Sequence, residues 1–246
     1  MSWLNEHILT VLILLPLAGA GLLLSARSRR NELLKRGALL ITVLEFLLSL
    51  ILFIGFEPTA NFQFTEKIMW IPAWGISYSV GVDGISLFLI VLTGILFPIA
   101  LLAVDPGHDD RAYFAWMLLL EAGVIGVFCA MDLMVFFLCF EVVLVPMYFL
   151  IGRWGHGNSA YAATKFFLFT MAGSALMLIG ILALAFLHAD ATGGGLTFDL
   201  VELAEAQSLG TTTARWVFLS FALAFAVKVP LFPLHTWLPD AHTEAS

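Results

Sequence analysis

Leu133–Ile151 reads LMVFFLCFEVVLVPMYFLI, an apolar run broken by one charged residue, Glu141. Trp216–Leu234 (WVFLSFALAFAVKVPLFPL) repeats the pattern with the opposite sign, its one charge being Lys228. Runs of about 20 apolar residues are long enough to cross a bilayer as helices. A charge at bilayer depth costs roughly 2.5–3.5 kcal/mol on insertion scales, so a retained one needs a reason. Both runs also carry helix-breaking prolines, Pro146 in the first and Pro230 and Pro233 in the second. An acid and a base in separate, proline-broken spans predict a route for protons or ions, each group expecting a partner.

Composition agrees. Of 246 residues, 61% are hydrophobic and 12% charged, against about 25% charged in soluble domains. The reading is an all-α integral membrane protein. A net charge of −7 lacks the basic stripe of nucleic-acid binders. Cys129 and Cys139 sit inside apolar runs without CxxC spacing or a nearby His, which predicts inert packing and neither a zinc site nor an iron–sulfur cluster. No GxGxxG or P-loop pattern occurs, so neither NADH nor ATP is expected on this chain. The first apolar run reads as a retained first helix and a poor signal peptide, because its basic residues (Arg27, Arg29, Arg30, Lys35, Arg36) follow it.

Seven spans are predicted: Ile8–Ser25, Ala38–Phe56, Ile85–Val104, Tyr113–Ala130, Leu133–Ile151, Ala162–Leu187 and Ala214–Leu234. The basic first connection belongs in the cytoplasm by the positive-inside rule, which places the N-terminus outside. Two outer loops are long. In 57–84, Phe62 and Phe64, then Ile76, Tyr78, Val80 and Val82, alternate with small or polar residues, predicting a surface hairpin. In 188–213, Gly193–Gly195 precedes FDLVELAEAQSL, a short surface helix. Ala130, Met131 and Asp132 leave so little chain that the fourth and fifth helices are expected as a tight antiparallel pair. Ala172, Gly173, Gly180, Gly123 and Gly126 predict close helix packing. Residues 1–112 are read as a three-helix region with the hairpin, and 113–246 as a second domain. The odd span count and the ending at Ser246 predict a piece of a longer transporter-like chain.

Pro146 removes an N–H and clashes with the carbonyl of Val142, freeing an acceptor one residue from Glu141. The bland alternative for Glu141 is an ion pair pinning two helices. Pro230 and Pro233 would likewise free the carbonyls of Ala226 and Val229 around Lys228; the alternative there is snorkelling to the interface. Pairing of Glu141 with Lys228 would hold both charged and separation would release a proton, a switch that needs the fifth and seventh helices to be neighbours. His235 and His242 flank the end of the seventh span as candidate relays or helix-end structure. Lys165 is a lateral relay or a snorkelling cation. Glu121, another relay candidate, and Glu45 are each read as able to pair with a neighbouring subunit, Glu45 more blandly. Asp83 reads as a helix cap.

Three runs, FFLCFEVVLVPMYFLIGRWG, ATKFFLFTMAGS and KVPLFPLHTWLPDAHTEAS, resemble the antiporter-like, proton-pumping membrane subunits of respiratory complex I. WIPAWGISYSVGVDGISLFLI is similar to their entry into the third helix, and the FE-x5-PMYFLIG run is most like the chain M branch (mitochondrial subunit 4) of NADH-quinone oxidoreductase. The resemblance implies a fold of about 14 helices built from inverted repeats, each with a discontinuous helix, of which this chain would be the first half with one incomplete repeat. It implies that Glu141 and Lys228 are the family's fifth-helix acid and seventh-helix base, with later groups lying beyond Ser246, so the half alone should not pump. NADH, FMN, iron–sulfur clusters and quinone would sit on partner subunits, and the neighbours would be other membrane subunits in a bacterial inner membrane. The competing readings are a cation/proton antiporter or membrane-bound hydrogenase subunit, and a structural membrane scaffold. A membrane-embedded hydrolase would need a nucleophile–base pair or metal ligands within the spans, and the sequence offers none.

Overall fold

The computed structural model describes residues 2–26, 31–206 and 209–245. Arg27, Arg29 and Arg30 of the basic first connection, and the Gln207–Ser208 end of the predicted surface helix, lie outside the described residues. In chain order the elements are α1 (Ser2–Ser25), α2 (Asn31–Gly55), β1 (Gln63–Ile71), a 3-10 turn at Pro72–Trp74, β2 (Ile76–Val82), α3 (Gly84–Ala103), α4 (Asp110–Cys129), α5 (Leu133–Trp154), α6 (Ser159–Thr192), α7 (Leu200–Ala206), α8 (Thr211–Lys228) and α9 (Trp237–Glu244). Six helices among the described residues, α1 to α6, are long and apolar enough to cross a membrane. The chain is a multi-pass membrane protein.

The seventh expected span ends as a helix earlier than its sequence bounds. The run expected to continue to Leu234 instead leaves the helix at Lys228 and turns through 229–236 before α9. Pro230 cannot donate to Ala226, and the residue before a proline disfavours helix. With 18 residues, α8 is about 27 Å long, at the short end of the about 17–25 residues that spanning helices use.

The chain packs into two compact units. The first holds residues 1–66 and 80–130, and within it α4 packs on α1, α2 and α3, while α2 also packs on α1 and α3. Asp83 caps α3 as expected: its carboxylate accepts from the backbone of Ile85 and Ser86, and Ser86 Oγ accepts from the backbone N–H of Asp83. These hydrogen bonds, the Ser86 backbone donor foremost, hold the Asp83 carboxyl below its ordinary range. Glu66 at the base of the hairpin is clasped by His7 Nδ1 (2.9 Å) and by the Thr10 backbone N–H and hydroxyl.

The second unit holds residues 67–79 and 131–246. Here α6 is the central post: α5, α8 and α9 pack along it. Gly173 and Gly180 let α8 close in, since a Cβ on Gly173 would meet the Val227 side chain and one on Gly180 the Ser220 hydroxyl. The 3-10 turn at the hairpin tip ends on Gly75 in the left-handed region (φ 66°), where a Cβ would run into the Leu196 carbonyl.

α4 and α5, expected as a tight pair, belong to different units. The short joint between them is spent as extended chain. Ala130 bridges to Val80 and Asp132 to Asp199, the Met131 N–H reaches the Ser79 carbonyl (2.9 Å), and the Met131 carbonyl accepts from Leu200 (2.8 Å).

Candidate proton site

α5 runs without a break through Pro146 from Leu133 to Trp154, so this proline does not end the helix. Glu141 is half-buried, and its Oε1 is buried with no hydrogen-bond partner. On α8, Lys228 is the last helical residue, where the negative end of the helix dipole favours a cation.

The two groups share a region without forming an ion pair. α5 and α8 both pack on α6. Lys228 Nζ stands over the ring of Phe140, 5.0 Å from its centroid, and over that of Phe166, 5.7 Å away. Phe140 precedes Glu141 on α5, and Phe166 belongs to α6. The Glu141 charge is felt at Lys228, yet ring faces supply the ammonium's nearest support. A cation over an aromatic face gains about 0.5–2 kcal/mol.

The carbonyls at the end of α8 are largely taken up again. Ala226, which Pro230 was expected to orphan, accepts from the Leu231 N–H at 2.8 Å. The indole N–H of Trp237 donates to Val227 at 2.8 Å in a buried bond. Trp237 also packs on Phe166, with ring centroids 5.2 Å apart. A residue on α9 thus supports both the open end of α8 and the ring beneath Lys228.

The other candidates separate clearly. His235 lies in the turn after α8, its Nδ1 buried and without a hydrogen-bond partner and its ring 5.6 Å from that of Phe232. His242 is exposed on α9 and lines a cleft of about 310 Å³ with Met147, Ile151, Phe166, Trp237 and Ala241. Lys165 neither snorkels alone nor joins Glu141; its Nζ bonds Asp240 Oδ2 on α9 at 2.6 Å. Asp240 was missed from the sequence because it lies 75 residues away with no local signal. Glu121 and Glu45 do not face a neighbouring subunit: both are fully buried inside the first unit. The described residues hold no group of three or more His, Cys, Asp or Glu able to bind a metal.

The second unit thus holds a half-buried acid on a continuous membrane helix and a base at the end of a helix that breaks off at a proline-rich turn. Residues 130–246 match the family described as NADH:quinone oxidoreductase/Mrp antiporter, transmembrane region, and the chain belongs to that family. It is 41% identical to NAD(P)H-quinone oxidoreductase chain 4 2 of Thermosynechococcus vestitus over 97% of its own length and 44% of that protein's. It is 40% identical to NADH-quinone oxidoreductase subunit M of Rhodobacter capsulatus over 98% of this chain and 49% of the other. Among solved structures, a chain of respiratory complex I from Thermus thermophilus with bound NADH superposes with a TM-score of 0.84 at 32% identity, covering 96% of this chain and 47% of that one. The chain therefore spans about half the length of the curated relatives it matches, and it has the antiporter-like fold.

Proposed function

We propose that this chain forms part of a proton-translocating membrane subunit of an NADH:quinone oxidoreductase, in which Glu141 and Lys228 exchange a proton. The observation that carries the reading is the pairing of an unpartnered, buried carboxyl oxygen on α5 with an ammonium held at the broken end of α8. The aromatic rings of Phe140 and Phe166 keep Lys228 in a place where either protonation state has support: the charged form has the ring faces and the Glu141 charge, the neutral form the apolar surroundings. Small displacements of α5 or α8 along α6 would tip that balance. Moving one charge against 100 mV requires about 2.3 kcal/mol, comparable with the two ring contacts together at about 0.5–2 kcal/mol each.

Lys165, paired with Asp240, and His235 extend the same unit as relay groups, with His242 at the exposed end. NADH, FMN, iron–sulfur clusters and quinone belong to partner subunits in this reading, and this chain contributes no redox centre. Its neighbours would be other antiporter-like membrane subunits in a bacterial inner membrane. The N-terminus would lie outside the cytoplasm, as the basic first connection favours. Residues 113–246 would correspond to the first, incomplete repeat. The family's description also covers Mrp antiporters, which makes cation/proton exchange the second reading.

The test is NADH-driven proton uptake, measured beside quinone reduction, in inverted vesicles whose full-length gene carries Glu141→Gln or Lys228→Met. Glu32→Ala, which removes an exposed helix-surface pair with Arg36, is the control. Loss of proton uptake with the complex still assembled supports the reading, and normal pumping sinks it. Sodium-gradient-driven proton movement without NADH would favour the antiporter.

A further inference from the structure

Away from Glu141 and Lys228, the first unit holds a second pair of intramembrane acids. The buried face of α2 reads Leu34, Ala38, Thr42, Glu45, Ser49 and Leu52, a helical stripe whose middle is polar. Glu45 and Thr42 are 0% exposed and Ser49 1%. α4 packs on α2 and contributes Glu121, also 0% exposed. The two carboxyl groups lie within electrostatic reach of each other. All four of their oxygens are buried without a hydrogen-bond partner.

What surrounds the pair decides its chemistry. The hydroxyls of Thr42, Ser49 and, on α3, Thr93 donate to their own helices, at the carbonyls of Leu39, Phe46 and Leu89. Their protons are thus spent, and the oxygens that remain are acceptors. No neutralising base faces the pair from the described elements around it. α3 has no titratable residue, and α1 offers only Glu6 and His7, the latter held by Glu66. On α2, Lys35 bonds the carbonyls of Leu102 and Val104, and Glu32 pairs with Arg36. On α4, Asp110, Arg111 and Tyr113 lie about two turns or more before Glu121, and Cys129 about two turns after it. Arg111 reaches the carbonyl of Ala26.

Two acids among acceptors alone lack one thing: hydrogen. An isolated buried carboxylate costs several kcal/mol and neutralises instead. A carboxylic O–H can then donate across the pair, whereas a resident divalent cation would need about six oxygens. We propose that Glu45 and Glu121 are a second proton-binding site of this chain, taking a proton from water and returning it to water as α2 and α4 loosen and repack. The proton adds to a carboxylate oxygen and leaves from it, with no other bond made or broken. The site is independent of the Glu141–Lys228 reading.

Infrared spectroscopy of the full-length subunit in its assembled complex tests this. The carbonyl stretch of a protonated carboxylic acid should be present, should shift when H2O is replaced by D2O during turnover, and should lose intensity in both Glu45→Gln and Glu121→Gln, most in the double variant. Glu45→Asp provides a second check by moving the band without deleting it, should a glutamine variant fail to assemble. Spectra that neither glutamine variant changes would overturn the proposal, as would a band that never exchanges or one that sodium abolishes in favour of a cation. Glu141→Gln leaves this band in place whatever it does to pumping, so the two readings fail separately.

Discussion

Asp132 shows how much one buried carboxylate can hold together in the second unit. It is 1% exposed, and its Oδ1 caps α5 through the N–H groups of Met134 and Val135 while Oδ2 takes the backbone N–H and hydroxyl of Ser77. Removing it would strand several buried donors, each costing about 1–3 kcal/mol. Asp132→Ala is therefore expected to destabilise the protein by about 3 kcal/mol or more, and Asp132→Asn, which keeps one acceptor, by less. Thermal unfolding in detergent, followed by helical circular dichroism, checks both. Trp237→Phe should cost about 1 kcal/mol by losing the bond to Val227, with the ring still on Phe166. Faster amide exchange after Lys228 would show it. An aspartate directly before an apolar run is a legible helix-start signal, so the cap could be read from sequence. Its grip on Ser77, 55 residues away, could not, because nothing local to either residue records the other. The same distance hid Asp240 from Lys165. Glu45 was half legible: Ala38, Thr42, Glu45, Ser49 and Leu52 fall at helical spacing, but only packing shows that this stripe faces inward.

At the scale of elements, the contact between α6 and α8 depends on the absence of side chains at Gly173 and Gly180. Gly180→Leu is expected to cost about 1–3 kcal/mol by overpacking and to displace α8 together with Lys228. Gly21→Leu on α1, where an added Cβ meets nothing within 4 Å, should be tolerated. Unfolding midpoints of the two variants decide the matter, and equal midpoints would refute the close packing. Six spans, the hairpin and the α3 cap were readable because apolar run length, period-two alternation and capping chemistry are local properties of the chain. The end of α8 was less so. Pro230 and Pro233 marked a break, but its position at Lys228, and the recapture of the Ala226 and Val227 carbonyls by Leu231 and Trp237, depend on how α9 folds back. That α6 packs against both the acid-bearing and the base-bearing helix was invisible for the same reason: span order says nothing of which helices meet.

At the scale of the molecule, Lys67 and Asp199 join parts of the second unit 132 residues apart through a 2.7 Å bond between the hairpin and the cap of α7. Burial pushes the Asp199 carboxyl up, but the Lys67 ammonium and the Glu202 and Val201 N–H groups outweigh it, leaving Asp199 below its ordinary range. The hydrogen bond to Asp199 raises Lys67 above its own. Asp199 thus contributes stability that is present above its ordinary value of 3.8 and is lost as pH falls through the lowered one. Lys67 contributes stability present below 10.5 and lost as pH rises through the raised value. Between those limits the anchor should be constant. Since Lys67 is half-exposed, its worth is about 0–1 kcal/mol. Lys67→Met should lower the unfolding midpoint slightly at neutral pH and make no difference in strong acid, where the wild-type pair is already broken. A profile unchanged by the substitution at every pH would refute the anchor.

The length of α6 carries a consequence for the lipid. With 34 residues it is about 51 Å long, against a hydrocarbon core of roughly 30 Å. Its apolar stretch, 162–187, spans about 39 Å and would fit that core only at a slant near 40°, the edge of what spanning helices show. The helix on which both α5 and α8 pack is therefore mismatched to a thin membrane. Thicker bilayers should let it stand more upright and thinner ones should tip it further, carrying α5 and α8 with it. Acyl-chain length becomes a dial on the slant of the acid- and base-bearing helices, set by the membrane and not by the chain.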